Sequence, residues 1–306
     1  MANKTINEAF AAEFGRIRER ARFVSTAAAE FPENVHDACI QAAISKCLDF
    51  NVIVNRERAN HDESFVLISG MRGIVEDLIV LKHSLRFSLE KREIYIKMLQ
   101  ALSFHQGILA QRRFFDANNP FQVVVGSSKK IEEIEAALTA AKENLRQFWI
   151  GEGRPKGKGP NVSDMASEIG LRSTYDYIYF AASNFVHFNP HALFRMGWGP
   201  KEGPFSFSTL NFSGYYRDLA AVYGAMMFVG FAATFSPCLD DGPALLTDAE
   251  AIEKILMQVP RWPELVTFEE INMEPPDYTW QRVLRDISGA DNEDAAFSKI
   301  LKEVRG

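Results

Sequence analysis

Between Leu219 and Phe235 the chain reads LAAVYGAMMFVGFAATF, a run without a single charge. Such a segment has two homes: a bilayer, or the centre of a helical body in which other helices cover it on every side. Its length only approaches that of a spanning helix, and it is rich in Ala and Gly rather than Leu and Ile. Small residues such as Ala220, Gly224 and Ala225 allow close helix approach in a protein core as well as in a membrane, and no other segment resembles this one. The expectation is a buried central helix, with no membrane as partner.

The rest of the chain supplies the helices such a centre requires. Ile6, Phe10, Phe14, Ile17 and Ala21 recur at helical spacing, which predicts a helix over 4–29 that Pro32 stops. A second runs from about Asn34 to Asn60, a third from about Asp62 to Phe87, and a fourth from about Leu89 to Asp116. Asn118-Asn119-Pro120 then breaks the pattern, and the FQVVV after it is too short and isolated to imply a sheet. A charged helix opens after Ser127-Ser128 and ends before Gly151, and further helices are expected near VSDMASEI and from about Thr174 to His187. GEGRPKGKGP, residues 151 to 160, reads as a flexible connection. It fits neither a Walker loop nor a dinucleotide fingerprint. The predicted fold class is all-α: a multi-helix bundle around one core over residues 1–240, with a peripheral C-terminal appendage of short helices over 241–306.

Composition narrows the functional classes. A chain of 306 residues with 47% hydrophobic residues can bury a sizeable core, and a net charge of -6 argues against wholesale nucleic-acid binding while leaving room for a local basic patch. Cys39, Cys47 and Cys238 form no C-x-x-C pair and leave an odd count, which suits reduced thiols in a cytoplasmic protein. The N-terminus lacks the basic start and apolar core of a signal peptide. No metal or cofactor is expected. His187 and His191 are separated by Pro190, and no His-x-x-x-His lies beside a carboxylate.

Two segments carry residues with chemical reach. In YDYIYFAASNFVHFNP, Tyr175, Tyr179, Ser183 and His187 recur every fourth position and form a drifting polar-aromatic stripe, with Asn184 beside it. His187 ends that helix, where the dipole favours imidazolium and the neutral ring can accept a proton. In MRGIVED, Arg72 and Glu76 lie four apart within an otherwise apolar helix, so both are expected to be partly buried and paired. Gly73 between them admits a close neighbour. The sharp reading makes His187, Arg72 and Glu76 catalytic and Tyr175, Tyr179, Ser183 and Asn184 substrate-binding, with RNA or a nucleotide as partner. The bland reading makes the same residues a buried network in a scaffold, with a protein partner or a second copy. Both predict that Arg72 and Glu76 meet Tyr179 or His187 in the folded core.

An Arg-x-x-x-Glu helix, a Ser163–Leu171 element and the Tyr-x-x-x-Tyr-x-x-x-Ser-x-x-x-His stripe together resemble a family of prokaryotic helical proteins catalogued as domain of unknown function 5677. The likeness covers about residues 60 to 240 and implies a helical bundle without an assigned activity. More distantly the chain is similar to the HEPN superfamily, whose signature is Arg, four to six residues, then His. That likeness implies a metal-independent ribonuclease of toxin or phage-defence systems. The chain departs from the signature: Ala182 and Phe180 stand where the Arg would precede His187, so Arg72 would have to replace it from another helix. The same spacing occurs at Arg56 and His61, which reads better as a solvated helix end.

Overall fold

A computed structural model of the chain describes residues 2–21, 34–56, 64–198 and 206–266. The protein is all-α. Its helices are α1 (Ala2–Arg20), α2 (Val35–Val54), α3 (Ser64–Ser84), α4 (Leu89–Asn118), α5 (Ile131–Gly151), α6 (Val162–Glu168), α7 (Arg172–Val186), α8 (Pro190–Arg195), α9 (Ser213–Phe235) and α10 (Gly242–Leu256). Among the described residues the extended structure is one antiparallel pairing, β1 (Gly197–Trp198) with β2 (Ser206–Phe207). FQVVV forms no strand, and Phe121 and Val123 lie almost fully in solvent.

Contacts divide the chain into two compact units, each discontinuous in sequence, rather than the single core expected. The first comprises Met1–Val24, Ile44–Val75 and Asp176–Gly306, and the second Ser25–Ala43 and Glu76–Tyr175. The long α4 shows why one core does not serve every helix. It buries only Tyr95, Ile96 and Leu109, because its alternating charge leaves a narrow apolar stripe. Within the second unit α5 matches that stripe with Ile134, Leu138, Ala141 and Trp149, and Leu109, Ile134 and Leu138 form a cluster of their own.

In the first unit α9 is the central element, as its uncharged run predicts. Phe228, Phe231 and Phe235 are wholly buried, each contributing about 1.5–3 kcal/mol relative to exposure. Phe14 of α1 meets Phe228 edge to face at 5.4 Å. The helix is long and apolar enough to cross a membrane, yet 67% of its most apolar window is buried inside the protein. α2 approaches at Gly224, where the Asn51 amide donates to the Gly224 carbonyl at 3.0 Å and to the Cys47 carbonyl at 2.8 Å.

The boundary expected near residue 240 is not where the packing changes. α10 packs on α9 and α1 through Leu245, Ala249, Ile252 and Leu256, all buried. Its buried Asp248 accepts from Arg16 at 2.9 Å and pairs with Arg20. Residues 241–256 are therefore core rather than periphery, and the remainder of the expected appendage beyond 266 lies outside the described residues.

Candidate functional site

The first unit brings α3 and α7 together through a triad of rings. Phe65 lies edge to face with Phe185 at 4.8 Å and with Tyr216 of α9 at 5.2 Å, and Phe185 meets Tyr216 at 5.4 Å. Two turns along α3 from Phe65, Arg72 reaches α7. Its guanidinium carbon sits 4.7 Å from the centre of the Tyr179 ring, and its Nη1 lies 2.7 Å from Nε2 of His187. Guanidinium nitrogens only donate, so Nε2 accepts and His187 carries its proton on Nδ1. The arrangement holds a neutral imidazole and a cation in direct contact.

The stripe on α7 is real but graded. Each fourth residue advances about 40° around a helix, so a line beginning in the core ends in solvent. Tyr175 is 8% exposed, Tyr179 and Ser183 are half-buried, and His187 is exposed. This corrects two expectations. Tyr175 belongs to the packing rather than to a substrate face, and Arg72 meets His187 at the surface rather than in the core. Arg72 and Glu76 are both half-buried, as their apolar flanks predict. Glu76 stands one turn farther along α3, at the start of the segment assigned to the second unit.

Ser183 Oγ is buried with no hydrogen-bond partner among the described residues. Asn184 has a structural engagement: its Oδ1 accepts from Asn189 Nδ2 at 2.6 Å. The Asn189 side-chain oxygen in turn accepts from the Ala192 backbone N–H at 3.2 Å, at the start of α8. One amide pair thus fixes the turn that carries His187 and Phe188 between two helices. Behind α7, the hydroxyls of Tyr177 and Tyr223 lie 2.9 Å and 2.7 Å from the Pro263 carbonyl, and burial, with the bond to Tyr177, drives Tyr223 well above the usual phenol range.

A second polar cluster, in the second unit, escaped sequence reasoning as a cluster. Glu168 of α6 accepts from His83 Nε2 at 3.1 Å and pairs with Arg86 and Arg154. The hydrogen bond from Arg154 leads these contacts in holding the Glu168 carboxyl down at about 2. His83 is 2% exposed, and burial pushes its imidazole below 6.5 despite Glu168. Its ring lies among Phe87 and Trp149, with Tyr95 packed on both. Arg154 comes from the Gly-rich loop, whose glycines have packing reasons. A Cβ on Gly159 would stand 2.3 Å from the Trp149 indole nitrogen, and one on Gly157 would stand 2.5 Å from the Arg146 carbonyl. Two arginines and a histidine from one helix end and one loop, facing a single glutamate, would have been a usable signal had the fold been known.

Elsewhere in the second unit, an open groove of about 480 Å³ lined by Ala101, Ala137 and Ala140 runs between α4 and α5. Of the Arg56–His61 spacing, Arg56 is exposed at the end of α2 and His61 lies outside the described residues. Among the described residues no group of three or more His, Cys, Asp or Glu is placed to hold a metal ion.

Compared with known proteins, residues 51–203 match the model of a family described as Family of unknown function (DUF5677). That span contains Arg72, Tyr179 and His187 as well as the whole Glu168 cluster. No curated protein and no solved structure matches the chain.

Proposed function

The chain belongs to this family of unknown function, DUF5677, and from that premise we propose that the Arg72–His187 pair is a metal-independent site acting on the phosphodiester of RNA. The observation that carries the reading is the 2.7 Å contact between Arg72 Nη1 and His187 Nε2 at an exposed position. A guanidinium is the natural partner of a phosphate oxygen and a neutral imidazole is a competent base. When a phosphate takes the Arg72 donor, Nε2 is released to accept a proton. The 2′-hydroxyl loses its proton to His187 as its oxygen attacks phosphorus, Arg72 stabilises the charge on the phosphorane, and the bond to the 5′-oxygen breaks. Water then protonates the leaving 5′-oxygen. Tyr179 holds the guanidinium over its ring face, a geometry worth about 0.5–1 kcal/mol at an exposed site. Glu76, one turn away on α3, keeps the orienting role, whereas the Ser183 hydroxyl is buried and not open to a substrate.

The setting that goes with this chemistry is a cytoplasmic toxin or defence component, the setting implied by the HEPN likeness. The alternative is a non-catalytic scaffold in which Arg72, Glu76 and His187 tie α3 to α7. The stacking of Arg72 on Tyr179 favours that alternative, and the exposure of His187 weighs against it. The variant His187→Ala separates the two. As a catalyst, an exposed histidine costs little stability, so the variant should lose RNA cleavage or cellular toxicity while melting within a few degrees of the parent. A structural tie should instead lower the melting temperature, with activity falling only as folded protein is lost. A variant that is both stable and fully active would defeat the catalytic role.

A further inference from the structure

Beside His187 stands Phe188, 85% exposed, more than Phe180, Phe207 or Phe212 of the same unit, whereas Phe10, Phe14, Phe228, Phe231 and Phe235 are wholly buried. Its position is fixed rather than left to a loose loop. The His187 N–H completes the last helical bond of α7 to the Ser183 carbonyl at 3.0 Å, and the Asn184–Asn189 amide bond at 2.6 Å closes the turn across Phe188. The Asn189 side chain then accepts the Ala192 N–H of α8. An aromatic ring is therefore presented to water on a braced turn, directly after the residue that Arg72 contacts. A second ring, Phe180, is 55% exposed and stands seven residues before His187 on the same side of α7. Val186 and Leu193 also reach the surface in this stretch, and Arg72 brings a cation to it through His187. Besides Arg72, the Lys46 ammonium of α2 lies 3.0 Å from where a Cβ on Gly73 would stand, on the residue after Arg72.

Exposed rings set before and after a histidine that an arginine contacts suit a strand of alternating phosphates and unpaired bases. We infer that Phe188 is a stacking platform for an unpaired base, with Phe180 as a second, and that the site takes single-stranded rather than duplex nucleic acid. In a duplex the faces of the bases are already stacked on one another and closed to a side chain, whereas phosphate contacts alone would not discriminate. This inference rests on the Arg72–His187 reading for its phosphate contact and adds the substrate class.

The test is a binding titration by fluorescence anisotropy with three probes: a labelled single-stranded 2′-O-methyl oligoadenylate that cannot be cleaved, its duplex, and, by competition, inorganic polyphosphate as a base-free polyanion. The parent should prefer the single strand to the duplex. Phe188→Ala should weaken single-strand binding about five- to a hundredfold, the scale of one stacked base. It should leave polyphosphate competition and the melting temperature unchanged, and Phe188→Trp should restore binding. Arg72→Ala should weaken all three probes. If Phe188→Ala binds the oligoadenylate as the parent does while Arg72→Ala loses every probe, the stacking role is wrong and the phosphate site survives. If the parent binds none of the three, both readings fall together. A Phe188→Ala variant that changes self-association in sedimentation but not oligonucleotide affinity would make the ring a protein contact and overturn the inference.

Discussion

Gly224→Ala is the substitution whose cost follows most directly from the structure. A Cβ at this position would stand 2.7 Å from Phe50 Cε1 and 2.8 Å from Asn51 Oδ1, against an ordinary carbon contact of about 3.5–4.0 Å. Neither neighbour is a free end: Phe50 is buried, and Asn51 is wholly buried and donates to two carbonyls. α2 and α9 must separate by roughly 1 Å, an overpacking cost of about 1–3 kcal/mol. The separation also stretches the Asn51 bond to Gly224 itself, and leaving those buried groups unpaired adds about 1–3 kcal/mol. Against this, Ala gains about 1 kcal/mol of helix propensity over Gly. The expected net loss is about 1–5 kcal/mol, or roughly 2–8 °C in a thermal melt followed by circular dichroism. Gly15→Ala is the control, lying in α1 of the same unit with nothing within 4 Å of the added carbon, and should be neutral or stabilising. A Gly224→Ala protein as stable as Gly15→Ala would mean that α2 does not pack on α9 at this point.

Acid titration reports on the Glu168 cluster. Both shifts are downward, so each group contributes stability above its ordinary pKa and loses it as pH falls through its folded value: His83 from 6.5 downward, Glu168 from 4.5 to about 2. Urea denaturation across pH 7 to 2 should show the gap between the parent and Glu168→Gln closing as the pH approaches 2, and a gap that stays constant would rule out the carboxylate as the source. Gly159→Ala should be strongly destabilising, because the added carbon would stand 2.3 Å from the Trp149 indole nitrogen. A phosphate-binding role without packing would predict lost binding at unchanged stability. Glycines at 157 and 159 thus make the loop a packed strap on α5, as a melt of either alanine variant should register.

The helices were legible because their signals are local. The uncharged run marked α9 as the centre, and VSDMASEI marked α6, which the structure closes with an unforeseen capping box: Asn161 accepts the Asp164 N–H and the Asp164 carboxylate accepts the Asn161 N–H in return. The pairing of Arg72 with the α7 stripe was also legible, because an arginine between apolar turns needs a partner and the stripe offered one. What could not be read was depth. Four residues at fourfold spacing look equivalent in a sequence, and only the angular drift across the packed helix decides that Tyr175 is core while His187 is surface. The Glu168 cluster was hidden for another reason: its members lie on α3, the segment after it, a loop and α6, and no periodicity links them. α10 was placed in the peripheral appendage of short helices, yet its apolar positions Leu245, Ala249, Ile252 and Leu256 all face the core.

Two histidines tie helices within the family-matched stretch, and their partners give them opposite tasks. His83 donates to a carboxylate that two arginines already hold, inside a cage of rings, at 2% exposure. Its single carboxylate is shared by two guanidinium groups and the imidazole, which fixes the segments that carry them and is what an ordering device needs. His187 instead accepts from a guanidinium, in solvent, on a turn braced by Asn184 and Asn189. That bond is one an incoming phosphate can exchange for a better one, since Arg72 gains an anionic partner and Nε2 regains its lone pair. The exchange has a measurable consequence. Salt competes for the phosphate, so activity at the Arg72–His187 site should fall steeply with ionic strength, while the melting temperature, carried by buried contacts such as the His83 cluster and the α2–α9 crossing, should hardly move. Parallel loss of activity and stability with salt would return Arg72 and His187 to the frame of the protein and remove them from its chemistry.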